Sequence, residues 1–416
     1  MPRRAASDPT TFPLEELNMK DDFDFYSEGF QANPGPTFSR MLKECPFHHS
    51  EKWGWYSVFR YADVKNIVED TETYSAKFGP GVDYAPADRP AVLVSADPPV
   101  HTIQRRAIVQ GFNSRTIRAM EPGLRAFVNE LIDDFIDKGR CDLIQDVAVP
   151  VPLWIICNFL GVPYAENGER FRSWVEVMAA SVFSQDKPEV QLKGRDAAMQ
   201  IAAFFTPIIQ EKMEQVAAGE DPGDNLLGMM AKADIDGTQL TLEEMLGFAQ
   251  FLLVAGSGTT TNLIGNFFKL MLDHPEQRAK LEAQPELMEQ AIEEVLRFEA
   301  PVHGLFRTNN EPVQLGDLDV PKDSKICLMW GAANRDPAVF EDPNSFDIGR
   351  DLYTLRKNMT FGWGVHKCIG APLARLECRV VAEEISRRIP KYQDGGRRVA
   401  YPYATLNGLD HFDLVW

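Results

Sequence analysis

The segment from Thr241 to Leu272 constrains the fold most. Thr241 and Glu244 have the spacing of a capping box, and an apolar helical pattern then runs without a breaker to Leu272, ahead of His274-Pro275. At about 1.5 Å per residue this predicts a helix of roughly 45 Å, long enough to cross a whole domain. Gln250, Ser257, Asn262, Asn266 and Lys269 interrupt every apolar run, so it is an internal helix and not a membrane span. Its centre reads FLLVAGSGTTTNLIGN, residues 251 to 266. Gly256 and Gly258 each weaken a helix by about 1 kcal/mol relative to Ala. Thr259 can bond back to the carbonyl of Ala255, which tends to bend or open the ladder. Two readings stand: close helix packing over the glycines, or a groove that makes room for a ligand.

The rest of the chain reads as one mostly α domain spanning residues 1–416, with small β-sheets. Helical patterns dominate from Val100 to about Leu281, broken at Gly161-Val162-Pro163, near Lys187-Pro188 and at Asp221-Pro222-Gly223. Residues 54 to 70 predict a strand followed by a helix, residues 313 to 330 a hairpin, and residues 1 to 50 an irregular segment. The Gly/Pro-rich stretch from Phe78 to Pro99 is too long for an ordinary connection and reads as a functional loop. With 61 acidic against 43 basic side chains the net charge is −18, which disfavours nucleic acid and anionic membranes as partners. The N-terminal residues lack the apolar run of a signal or anchor, so a cytoplasmic monomer is expected.

Six cysteines show no CxxC spacing, which leaves neither a zinc ribbon nor an iron–sulfur cluster. Cys368 stands apart from the other five. It lies in FGWGVHKCIG, residues 361 to 370, with Gly362, Gly364 and Gly370 around it and a helical pattern after it. Glycines let backbone approach a flat ligand, and a helix start favours the thiolate form. These are the requirements of a thiolate metal ligand. Phe361, Gly364, His366, Cys368 and Gly370 match every fixed position of Phe-x-x-Gly-x-His/Arg-x-Cys-x-Gly, and the segment resembles the haem-binding loop of the cytochromes P-450.

Other motifs agree with that resemblance. Glu294 and Arg297 match the family's Glu-x-x-Arg, with Arg350 as third member of a structural ion cluster. Asp97-Pro-Pro-Val-His-Thr-Ile-Gln-Arg105 is similar to the family's Asp-Pro-Pro-x-His-x-x-x-Arg. The resemblance implies haem b on Cys368, with His101, Arg105, Arg307 and His366 serving its two propionates. It also implies that Ala255, Gly256 and Thr259 line the groove where dioxygen sits, with Thr259 the oxygen-activating alcohol by position and Gly258 and Thr260 beside it as catalytic positions. The thiolate donates electron density that favours O–O cleavage. Electrons from NAD(P)H would come through a separate ferredoxin-type carrier and its reductase. Val82, Tyr84, Leu93, Val94, Met178, Val182, Phe183, Leu253, Val302, Leu305 and Leu406 are expected to form a mostly apolar substrate pocket.

One position departs from the pattern. The family usually places Asp or Glu immediately before the threonine, where this chain has Gly258. Protons could then travel through water with Ser257 or Thr260, or the position could be an engineered change. A third route is chemistry that needs no relay: peroxide-driven oxygenation, or nitric oxide reduction as in a fungal branch of the family. A haem-binding sensor without turnover is the reading from another class. Arg106, Arg115, Arg118, Arg356, Lys357 and Lys367 are either solvated surface or a docking patch for an acidic carrier. His303 is either a loop histidine or a substrate contact. His48-His49 with Cys45 is expected to be a plain loop, since a second ligand pair is lacking.

Overall fold

The computed structural model describes residues 23–81, 91–183, 188–401 and 405–416, with residues 182, 183 and 188 described by backbone alone. The long helix runs from Leu242 to Asp273 and begins with the anticipated capping box. There Glu244 N donates to Thr241 Oγ1, and Thr241 N to Glu244 Oε2. From Thr260 to Phe268 the helix is buried on every side, because neighbours cover it all round: Pro150–Leu160, Pro188–Ala217, Met288–Phe298 and Ala371–Arg388 all pack on it. Leu263, Ile264, Phe267 and Phe268 join the largest core there. Thr261 Oγ1 reaches outside the helix to the Ala148 carbonyl, 3.0 Å away, in a π-helical turn at Ile144–Ala148. No single helix among the described residues is long and apolar enough to cross a membrane.

A five-stranded sheet covers a second, smaller core. Its order is Phe47–Ser50, Trp55–Val58, Lys325–Leu328, Leu305–Asn309, Tyr74–Ser75. Trp55–Val58 and Lys325–Leu328 run parallel, while the other pairs are antiparallel. The segment anticipated as one hairpin is therefore two things. Val313–Leu315 pairs with Leu318–Val320 as a short hairpin, whereas Lys325–Leu328 leaves it to fill the centre of the sheet. Lys325–Leu328 is buried throughout, as suits a central strand. A second sheet joins Gln393–Ala400, Leu409–Val415 and Arg140–Asp142.

Residues 23 to 50 are not irregular. Helices Glu28–Ala32 and Pro34–Glu44 and the strand Phe47–Ser50 order this part. Pro34 opens the second helix, and Phe38, Met41 and Leu42 form its buried stripe at i, i+3, i+4. With Phe23, Phe25 and Phe30 they build an aromatic cluster. His303 sits inside it, with ring centroids 6.2, 5.1 and 5.9 Å from Phe25, Phe30 and Phe38. It is therefore a packed core histidine, not a substrate contact, and burial lowers its pKa to about 4. His48 meets Phe23 edge-on and His49 stacks on Tyr56.

Candidate active site and cofactor cradle

The loop that carries Cys368 is held in place before its helix starts. Cys368 N donates to Phe361 O at 2.8 Å. Gly362 and Gly364 adopt φ of +68° and +65°, a region that only glycine enters without strain. The helix Ala371–Arg388 follows at once, and the backbone N–H groups of Gly370 and Ala371 donate to the Cys368 sulfur. The enclosing walls raise the thiol's pKa by desolvation, against those donors and the nearby Arg105 and Arg375, although the residue remains exposed to the cavity. The two N–H groups favour the thiolate, as anticipated, and work against the cost of removing water from a charged sulfur. A coordinated cation removes that cost, since a metal-bound thiol is deprotonated outright.

Beneath the loop lies the ion cluster anticipated from sequence. Arg297 and Glu294 are both fully buried, with Nε–Oε2 2.6 Å and Nη2–Oε1 2.7 Å. Arg350 Nε donates to the same carboxylate at 3.2 Å. Arg297 also donates to the carbonyls of Asn334, Pro343 and Ser345, so one guanidinium ties two further backbone segments to its own helix. Two members of this scaffold escaped sequence reasoning. Glu293, next to the motif glutamate, is buried and paired with Arg375 on the helix after Cys368, and the Arg375 guanidinium lies 4.5 Å from the Phe361 ring centroid. Asn334 accepts from Met359 N and donates to Thr360 Oγ1 at 2.6 and 2.8 Å. Neither has a spacing signal, because each partner is more than twenty residues away in the chain.

Cys368 faces a cavity of about 1590 Å³. That exceeds the roughly 300–1,000 Å³ of a site for one small ligand. His101, Arg105, Arg307 and His366 line it together. The His101 and His366 rings are 4.2 Å apart between centroids, and His101 Nδ1 and His366 Nε2 are buried without a hydrogen-bond partner. Burial first, and then the neighbouring cations, lower His101 to about 4, and His366 to about 3. Arg307 is lowered by burial to about 10, with Asp97 opposing. Asp97 itself is taken up by Ser75 and the Ala76 N–H. Two guanidiniums and two orphaned ring nitrogens converging on one wall fit a group that carries two carboxylates, and a haem fits both that wall and the sulfur.

The central helix presents Ala255, Gly256, Gly258, Thr259, Thr260 and Leu263 to the same cavity. The helix stays continuous through the glycines, and the two readings of them separate by position. A Cβ on Gly256 would lie 3.2 Å from Ile156 Cδ1, so this glycine permits close packing. A Cβ on Gly258 would meet nothing within 4 Å. Thr259 Oγ1 donates to Ala255 O at 2.9 Å, as anticipated. Ser257 and Leu253 depart from expectation. Both are buried in the core, with Ser257 Oγ bonded to Leu253 O at 2.6 Å, and neither lines the cavity. Four residues apart, they occupy the helix face turned away from it. Leu93, Val94, Met178, Val302, Leu305 and Leu406 do line the cavity. Val82 and Tyr84, and the side chains of Val182 and Phe183, lie outside the described residues.

The sequence profile of the family Cytochrome P450 matches residues 52–388. The chain belongs to the cytochrome P450 family. It is 33% identical over 410 residues to the cytochrome P450 monooxygenase PikC of Streptomyces venezuelae, covering 95% of this chain and 94% of that one. CYP109Q5 from Chondromyces apiculatus shares its fold, with a TM-score of 0.84, 31% identity and coverage of 95% and 98% of the two chains. CYP109E1 from Bacillus megaterium, solved in complex with testosterone, gives 0.84 and 29%, with 94% and 99% covered. This P450 is thus a bacterial-type monooxygenase of a haem-thiolate family.

Proposed function

We propose that this P450, acting as one catalytic domain, inserts one atom of dioxygen into an apolar small organic molecule. The other oxygen atom leaves as water, consuming two protons and two electrons. The electrons derive from NAD(P)H through a separate ferredoxin-type carrier and its reductase, and the enzyme works as a cytoplasmic monomer. The observation that carries the reading is the meeting, in one cavity, of the Cys368 sulfur, the two guanidiniums of Arg105 and Arg307 with the rings of His101 and His366, and the Thr259 hydroxyl. Haem b, when bound, supplies the iron-centred oxygen chemistry.

The chain's own residues do the rest. Cys368 would hold the haem iron, its sulfur charge moderated by the Gly370 and Ala371 N–H groups. His101, Arg105, Arg307 and His366 would orient the group through its two carboxylates. Thr259 gives its own proton to Ala255 O, which leaves its oxygen lone pairs free to accept from water. With Ser257 turned into the core, Thr259 and Thr260 are the hydroxyls that remain for proton delivery. Leu305, Val302 and Val94 hold an apolar substrate and exclude bulk water; the testosterone bound by the Bacillus megaterium neighbour supports a polycyclic apolar substrate class. Peroxide-driven oxygenation is a second reading, favoured by the open space where a relay carboxylate would stand at Gly258.

The reduced carbonyl complex tests the ligand assignment. Thiolate ligation changes haem electronics as imidazole does not, so the strongly red-shifted Soret band is expected, and Cys368→His should abolish it. Survival of that band in the variant would remove Cys368 from the iron. Isotopically labelled dioxygen should leave one labelled atom in the product.

A further inference from the structure

The cavity wall formed by Leu93 and Val94 is held in an unfavourable backbone conformation by one side chain from outside it. Leu93 has φ +37°, a value that L side chains adopt only when their surroundings impose it. Its N–H donates to Gln104 Oε1 at 2.8 Å, in a buried bond. The same amide group donates through Nε2 to Ala91 O at 2.8 Å and to Glu244 Oε1 at 3.2 Å. Gln104 is 1% exposed. Its three partners fix the amide orientation, since a flip would set the oxygen against two acceptors and the NH2 against a donor.

Gln104 sits on the helix Val100–Ile108, three residues after His101 and one before Arg105. Glu244, its third partner, uses its other oxygen in the capping box that starts the central helix. One residue therefore links the wall, the helix that carries His101 and Arg105, and the start of the helix that carries Thr259. A carboxylate at this position would lack both N–H donors, and an aliphatic side chain would leave Leu93 N–H and Ala91 O buried without partners.

From this geometry we propose that Gln104 is a positioning residue for substrate selection: it sets where Leu93 and Val94 stand in the cavity. This rests on the cavity being the substrate site, so the test reads the clasp and the selectivity separately. In the haem-loaded Gln104→Leu protein, amide exchange of the peptide covering residues 91–96 should quicken about tenfold, while the central helix keeps its protection. The ratio of dissociation constants for phenylimidazole and imidazole, read from the haem spectrum, should shift roughly fivefold, because only the bulkier probe reaches the wall. Gln104→Asn, one methylene shorter, should shift both readings the same way and serves if the leucine variant does not fold. Gln104→Glu should show the same loosening, with repulsion from Glu244 added. Adding Glu244→Gln, which still completes a capping box, should recover protection.

Unchanged exchange at residues 91–96 would overturn the clasp. Faster exchange there with an unchanged azole ratio would overturn the role in selection but leave the function of the cavity standing. Exchange that quickens across the whole helix Val100–Ile108, with loss of haem, would make Gln104 a general structural residue and overturn the proposal.

Discussion

The two sides of the cavity are built by different means. On the Cys368 side stands buried charge, with fully buried Glu294 and Arg297 and partly exposed Arg350 locked to one another and to backbone carbonyls. The opposite wall takes Leu93 from a strained turn, Thr259 from the central helix and Leu305 from a sheet strand. Side-chain hydrogen bonds from Gln104 and Ser95, not ion pairs, hold the turn. Charge in a fully enclosed site is costly to separate, so it gives a loop a single position. Neutral hydrogen bonds contribute about 1 kcal/mol each and leave a wall that can differ without undoing the fold.

Breaking the ion cluster should have the largest effect. Arg297→Leu strands Glu294 uncompensated in the interior and should destabilise the protein by about 3–5 kcal/mol, read as a lowered denaturation midpoint and a lower haem-loaded fraction. A loss below about 1 kcal/mol, the value of an ordinary exposed pair, would mean that the cluster is not the anchor of that side.

The two glycines sharpen the contrast on the central helix. Gly258→Asp places its side chain into open space and should raise product formed per NAD(P)H by roughly 10-fold, if a missing general acid limits turnover. It should also firm the helix by up to about 1 kcal/mol. Gly256→Val, against Ile156, should instead cost about 1–3 kcal/mol by overpacking. If the glycine form already couples tightly and the aspartate slows it, water ordered by Thr259 and Thr260 is sufficient for proton delivery.

The smallest effect is expected at the surface. Arg106 is paired with Asp236 at 2.7 Å and Arg356 with Glu289. Arg115, Arg118 and Lys367 are exposed and form no ion pair among the described residues. Reversing Arg115 and Lys367 to Glu should slow reduction by an acidic carrier a few-fold and leave substrate affinity unchanged. In the unmodified protein that rate should fall with salt, because such steering is screened over about 10 Å at 0.1 M. Equal rates before and after reversal would return both residues to ordinary solvated surface.

What was legible in the sequence had short spacing and an obligatory chemistry. The Cys368 loop, the Glu294–Arg297 step, the capping box at Thr241 and Glu244, and the back-bond from Thr259 to Ala255 each span ten residues or fewer. Local backbone geometry fixes such relations before the chain folds. Periodicity correctly set the central helix but could not orient its faces. Leu253 and Leu263 look alike in sequence, yet the first packs into the core and only the second reaches the cavity. Which stripe of a helix apolar on all sides meets a cavity depends on the neighbours around it, not on its own pattern.

The sequence by itself therefore determined the fold class, through motifs that are local and chemically distinctive, and the resemblance they carry pointed to Cys368 and to His101, Arg105, Arg307 and His366, which the structure brings to one cavity. Tertiary structure alone separated Gly256 from Gly258, turned Ser257 away, enclosed His303 in phenylalanine rings and joined Gln104 to Leu93 and Glu244. Each of these is a meeting of segments whose distance in space the linear order does not encode. The energy that selects among such meetings is burial and hydrogen bonding shared across the whole core.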